Sequence, residues 1–323
     1  MVTMMQPEEE EDDEIFVYMG GDQRVPFGVR RARIHKSLKI VPAREFRHLI
    51  KLIDVQFHDG VEIIEEDAFE NCCFLSGSIQ LLGVKLIKAF AFNFCSALTG
   101  VEFGDKLETI EDGAFENCYL LRCVTMPSVR SIGMRAFSNC FALTDLDLPE
   151  GLETIGERAF NDCFHLRHIT MPLKDDMIED DVFYGCTDLT TVDLVGDIHK
   201  TVASLHLDSW RNEMTAEINR INQVLPSKNA SEKTDAIQQW MRTVTNRLNH
   251  FKSEHEQMLK EATTLLELAL WKANLDENEG YVEREGIRTT RRQRKRARKE
   301  ICITSGASIV IKNVLPFLNI KCM

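Results

Sequence analysis

Apolar residues recur through the first two thirds of the chain in columns. Phenylalanines stand at Phe69, Phe92, Phe115, Phe137, Phe160 and Phe183, spaced 23, 23, 22, 23 and 23 residues apart. A cysteine follows each by three (Cys72, Cys95, Cys118, Cys140, Cys163, Cys186), and a leucine follows each cysteine by three (Leu75, Leu98, Leu121, Leu143, Leu166, Leu189). An isoleucine precedes each phenylalanine by five: Ile64, Ile87, Ile110, Ile132, Ile155 and Ile178. A weaker seventh copy comes first, with Val41, Phe46, Leu49 and Leu52 at the matching offsets and Glu45 where the others hold a small residue. An end repeat with one neighbour has this character.

Alternating apolar residues such as Leu143, Leu146 and Leu148, or Leu166, Ile169 and Met171, predict a short strand after each leucine. The segment carrying Phe and Cys predicts a short helical turn. One copy cannot close a core, so the copies must stack, with strands about 4.8 Å apart. Pro127, Pro149 and Pro172 stand where strands close, since proline lacks the amide donor that pairing needs. The expected fold class is therefore an α/β-type repeat solenoid, its short strands stacked in parallel, followed by an α-helical hairpin or coiled-coil-like module.

Past Val195 the period changes. Leu207, Trp210, Met214, Ile218, Ile221 and Leu225 form one helical stripe, and Pro226 with the turn residues after it breaks that stripe. A second helix is predicted from about 231 to 275. It carries Ile237, Val244, Phe251, Met258 and Leu265 seven apart, and Met241, Leu248, His255, Ala262 and Ala269 seven apart. Paired heptad columns suit an intramolecular hairpin or a homodimer, and Ile237, Val244, Leu248, Phe251, Met258 and Leu265 are the self-association candidates. Trp240 and Trp271 flank the seam. The expected organisation is an acidic disordered N-terminus (1–15), an N-terminal cap (16–33), seven repeats (34–195), a helical hairpin (205–276), a basic segment (280–300) and an apolar tail (301–323).

The phrase "GLETIGERAFNDCFHLRHITMP" is similar to the BspA-type leucine-rich repeat, and the resemblance covers residues 34–194. It implies a solenoid that binds proteins and brings no catalytic residues with it. Bacterial members of that family often act as exported surface adhesins.

The 323 residues carry a net charge of −12, which disfavours a whole-surface nucleic-acid binder. The start, with its acidic run Glu8 to Glu14, lacks the basic and apolar pattern of an export signal, and no apolar run reaches the roughly 20 residues of a membrane span. The expected location is intracellular, cytoplasmic or nuclear, where the 10 cysteines are free thiols.

Cys163, His165 and His168 come closest to a metal signature, but Cys163 belongs to a buried column and the histidines to variable positions. No metal or cofactor is expected, and no phosphate loop or nucleophile motif points to an enzyme. The residues beside the buried strand positions read Glu102, Thr125, Asp147, Thr170, Asp193 on one side and include Asp54, Asp145 and His168 on the other. They outline a mildly acidic ribbon suited to a protein partner with a basic face. In 288–299 eight of twelve residues are basic, among them Arg291, Arg292, Arg294, Lys295, Arg296, Arg298 and Lys299. This segment suits a nuclear signal or a solvated helix better than nucleic acid, since no aromatics are interleaved for base stacking. The acidic N-terminus is complementary to it and would mask it by folding back. The sequence thus points to a non-enzymatic interaction scaffold. The alternatives are a nuclear or nucleic-acid-associated factor and a self-assembling structural protein.

Overall fold

A computed structural model describes residues 15–205 and 207–284, with side chains to residue 272. Among the described residues fifteen short strands follow one another: β1 (Ile15–Tyr18), β2 (Arg31–Ile34), β3 (Ile40–Val41), β4 (Asp54–Gln56), β5 (Ile63–Ile64), β6 (Gly77–Leu81), β7 (Leu86–Ile87) and β8 (Leu98–Phe103). Then come β9 (Thr109–Ile110), β10 (Cys123–Thr125), β11 (Ser131–Ile132), β12 (Asp145–Asp147), β13 (Thr154–Ile155), β14 (His168–Pro172) and β15 (Thr191–Val195). All pairings are parallel, and from β2 onward partners lie one repeat apart. The chain is a parallel-strand β-solenoid of about seven turns.

Each repeat supplies two strands where the alternation of apolar residues predicts one. The longer strands follow the leucine column and form three three-stranded sheets in series: β1-β2-β4, β6-β8-β10 and β12-β14-β15. The second strand is two residues long and ends on the isoleucine column, so that Ile64, Ile87, Ile110, Ile132 and Ile155 stack in one six-stranded ladder from β3 to β13. The predicted N-terminal cap holds β1 and β2, which already run in the ladder, Arg31 opposite Asp54.

The helical turn expected around Phe and Cys is not a helix. In every repeat the residues two before and two after the phenylalanine adopt positive φ: Arg44 and His48, Asp67 and Asn71, Phe90 and Phe94, Gly113 and Asn117, Arg135 and Asn139, Arg158 and Asp162, Asp181 and Gly185. The side-chain-bearing residues among them lie between φ 54° and 64°. With left-handed residues at these positions, every second amide turns toward the next repeat. Thus Phe46 N–H donates to Ala68 O (3.0 Å), Phe69 to Ala91 (2.7 Å), Phe92 to Ala114 (2.7 Å), Phe115 to Ala136 (2.8 Å), Phe137 to Ala159 (2.8 Å) and Phe160 to Val182 (3.0 Å). A helix would spend those amides within its own turn. The flat turn instead lets repeats bond to one another on both sides of the core.

The phenylalanines fill that core completely buried, ring over ring at centroid distances of 4.8 to 6.0 Å from Phe46 to Phe183. Tyr18 closes the first end, edge-on to Phe46 at 5.3 Å. Each column cysteine donates its thiol to the carbonyl of the phenylalanine one repeat earlier, from Cys72 to Phe46 O (3.0 Å) through to Cys186 to Phe160 O (3.2 Å). The ladder is thus structural: a small, buried side chain with one weak donor, used.

After the strands come α1 (Ile198–Ala203), α2 (Asp208–Val224) and α3 (Lys233–Arg284). Contacts divide the chain into two compact units, one of Met1–Ile198 with Ile218–Thr245 and the other of His199–Glu217 with Asn246–Met323. In the first unit the end of α2 and the start of α3 close the last repeat. Lys233 Nζ donates to Cys186 O, Thr187 O and Leu189 O at 2.7 to 2.9 Å, using all three of its hydrogens. Gln238 Nε2 donates to Ile178 O (2.9 Å) and Glu179 O (3.1 Å), and Asn222 Oδ1 accepts from the β15 amide of Val192 (2.7 Å). In the second unit Trp210 stacks on Phe251 at 5.0 Å, and Arg247 bridges to Glu213 (3.0 Å) and Glu217 (3.5 Å).

Candidate protein-binding face

On each longer strand the central residue points inward: Val55, Ile79, Val101, Val124, Leu146, Ile169 and Val192 are all buried. The residues on either side of it must point outward, because successive side chains alternate across a strand. Two parallel rows result. One reads Arg31, Asp54, Ser78, Gly100, Cys123, Asp145, His168, Thr191; the other reads Arg33, Gln56, Gln80, Glu102, Thr125, Asp147, Thr170, Asp193.

All six expected binding residues lie in these rows. Asp145 sits opposite His168, while Asp147, Thr170 and Asp193 follow in register, so along that second row acid alternates with threonine and its two aspartates stand about 10 Å apart instead of about 4.8 Å. Glu102 accepts from Gln80 Nε2 (3.2 Å), Asp145 from Thr144 Oγ1 (2.8 Å) and Asp54 from Gln56 Nε2 (3.5 Å). His168 Nε2 lies 3.1 Å from Asp193 Oδ2, on the next strand. These contacts fix the carboxylates in place while leaving Glu102, Asp145, Asp147 and Asp193 exposed.

The ribbon is polarised, which the acidic columns alone do not reveal. Arg31 and Arg33 begin the two rows, and Arg33 Nε donates to Gln56 Oε1 (2.8 Å). Three carboxylates, Asp145, Asp147 and Asp193, occupy the opposite half, and Glu102 stands midway. Between them Ser78, Gly100 and Cys123 leave a low stretch with little side chain. The two arginines precede the first phenylalanine copy, so column counting never reaches them; the alternation Arg31, Ala32, Arg33, Ile34 was the available signal.

A second feature escaped the column reading. Tyr119, Phe141 and Phe164 each follow the cysteine by one and stack at 5.0 Å along the edge of the face. Three successive aromatics at one offset are legible in the sequence, but a variable column reads as surface.

Cys163, His165 and His168 do not converge. Cys163 is buried and donates to Phe137 O, His165 Nδ1 lies 3.3 Å from Asp188 Oδ2, and His168 faces Asp193. Among the described residues no group of three metal-ligating side chains occurs. Burial pushes the Cys72 and Cys186 thiols up to about 12 and raises Cys95, Cys118, Cys140 and Cys163 as well. On the opposite edge Lys85 and Lys39 together hold Glu62 down to about 2.

Of the self-association candidates, Ile237, Val244, Leu248 and Phe251 are buried within the chain itself, whereas Met258 is half-buried and Leu265 is exposed. The basic residues Arg291, Arg292, Arg294, Lys295, Arg296, Arg298 and Lys299, the acidic N-terminus expected to mask them and the apolar tail lie outside the described residues. Among the described residues no helix is long and apolar enough to cross a membrane.

The family model of the BspA type leucine rich repeat region matches this chain in six copies, over residues 28–134 and 121–211. No curated protein matches. Similar solved structures include a leucine-rich repeat protein from Bacteroides ovatus (24% identity, 56% of this chain and 52% of that one, TM-score 0.42). Others are the leucine rich repeat protein of T. pallidum (24%, 55% and 68%, 0.37) and a leucine rich cell surface protein of Faecalibacterium prausnitzii (22%, 52% and 61%, 0.36). The chain spans about three fifths of the Faecalibacterium protein and about half of the Bacteroides one.

Proposed function

The chain belongs to the BspA-type leucine-rich repeat family, and from that premise we propose that it is a non-catalytic scaffold whose strand face receives a partner protein. The observation that carries this reading is the pair of parallel rows. A regularly spaced set of polar side chains, with Glu102, Asp145, Asp147 and Asp193 exposed among them, stands on a core that uses none of them, which suits these residues to recognition. The polarity sets the kind of partner. Glu102, Asp145, Asp147 and Asp193 suit a basic face, and Arg31 and Arg33 fix which way round it lies.

The test is affinity capture from source-cell lysate with wild type and Asp145→Lys/Asp147→Lys/Asp193→Lys, read by quantitative mass spectrometry. A control reverses Asp105, Asp175 and Glu256, exposed acids off the face. A set of proteins lost with the first triple variant and kept with the control supports the reading. Equal capture by all three proteins overturns it.

A further inference from the structure

α3 is much longer than the helix it packs against: 52 residues against 17 in α2. Because the two helices run as a hairpin, the start of α2 lies beside the middle of α3, with Trp210 on Phe251. Asp208 is the first residue of α2, so the helical partner ends there. The seam does not end. The columns Val244, Phe251, Met258, Leu265 and Met241, Leu248, His255, Ala262, Ala269 continue unbroken, widened by Leu259 and Leu266. Coverage changes along them. Val244, Leu248 and Phe251 are 0%, 7% and 5% exposed and Ala269 is again buried, whereas Leu259, Leu265 and Leu266 between them are 38%, 55% and 37% exposed. Apolar side chains at i, i+1, i+4, i+7 and i+8 from Met258 form a stripe that a helix buries only against another element.

We propose that residues 258–266 of α3 form a self-association surface, occupied by the same segment of a second copy. Two observations select that occupant. The stripe continues an existing helix–helix seam at the same seven-residue period, so its complement is a helix with that period. The flanks also suit pairing with themselves, since Lys252 and Lys272 accompany Glu254 and Glu261. Near-balanced charge removes the repulsion that a strongly one-signed helix would face from its copy. A two-fold axis across the stripe lets each copy present the same residues to the other.

The test uses the full-length chain in light scattering after size exclusion, loaded at about 100 μM, well above a micromolar Kd. Wild type is expected at twice the chain mass. Leu265→Glu/Leu266→Glu is expected at the chain mass with its circular dichroism unchanged, because both positions are exposed in the single chain. Lys260→Glu, on the opposite side of α3, is expected to stay dimeric. A monomeric wild type overturns the proposal, as does a dimer that survives the double substitution. Affinity capture through the strand face is independent of either outcome.

Discussion

The hydroxyl of Thr234 accepts a hydrogen bond from the amide of Phe183 at 2.9 Å. In the six preceding repeats that phenylalanine amide donates to a backbone carbonyl of the next repeat. Thr234, on the first turn of α3, therefore supplies the acceptor that an eighth repeat would have brought. Lys233 beside it closes three carbonyls, and burial lowers its pKa. A lysine at the positive end of a helix works against the macrodipole, and the three carbonyls offset that.

Thr234→Val should leave the Phe183 amide buried and unpaired. The expected loss is about 1–3 kcal/mol of unfolding free energy, with Thr234→Ser close to wild type. Urea denaturation followed by circular dichroism measures it. Equal midpoints for Val and Ser would show that the hydroxyl is not the cap.

The column cysteines should be inert in the folded protein. Brief alkylation at pH 8 followed by peptide mass spectrometry is expected to label the exposed Cys123 and the half-buried Cys73, leaving Cys72, Cys95, Cys118, Cys140, Cys163 and Cys186 unmodified until denaturant is added.

Those same thiols give stability a pH dependence of fixed sign. Their folded pKa values lie above the ordinary value of 9.0. Above pH 9 the unfolded chain releases protons that the folded one keeps, so stability is full below 9 and falls as pH rises past it. The urea midpoint should drop between pH 8 and pH 10.5. Cys118→Ser, whose hydroxyl does not titrate there, should drop less steeply.

Gly113 stands at φ +60°, and a Cβ there would lie 2.4 Å from the Phe90 ring. Gly113→Ala should therefore cost more than the roughly 1 kcal/mol of left-handed strain alone. Phe90→Asn in the same chain should recover part of that loss. The pair makes a double-mutant cycle, and strictly additive losses would rule out the ring as the obstacle.

Phe115→Ala removes one ring from a stack with neighbours at 5.1 and 5.3 Å, all fully buried. The expected loss is about 3–5 kcal/mol. Tyr119→Ala, in the half-exposed outer stack, should cost markedly less. Thermal melts of the two variants compare them directly.

The sequence by itself determined the repeat. Phe, Cys, Leu and Ile recur at one period because each must meet its own copy about 5 Å away, and a displaced residue would fall out of its column. The strand face was legible for the same reason, since period-two alternation decides which side chains turn outward. Tertiary structure decided the rest. Repeat-to-repeat bonding replaces a helical turn with backbone that includes left-handed residues, because amides aimed at the neighbour satisfy more of the buried chain than amides aimed within the turn. No single repeat contains that preference. Lys233, Thr234, Gln238 and Asn222 look in sequence like ordinary helix residues, and only the exposed polar groups of the last repeat give them a task. The heptad columns of α3 were plain to read, but how far along them a partner reaches depends on where α2 begins in space. Ile237 to Phe251 are covered by the chain itself; farther along, Leu259, Leu265 and Leu266 are exposed.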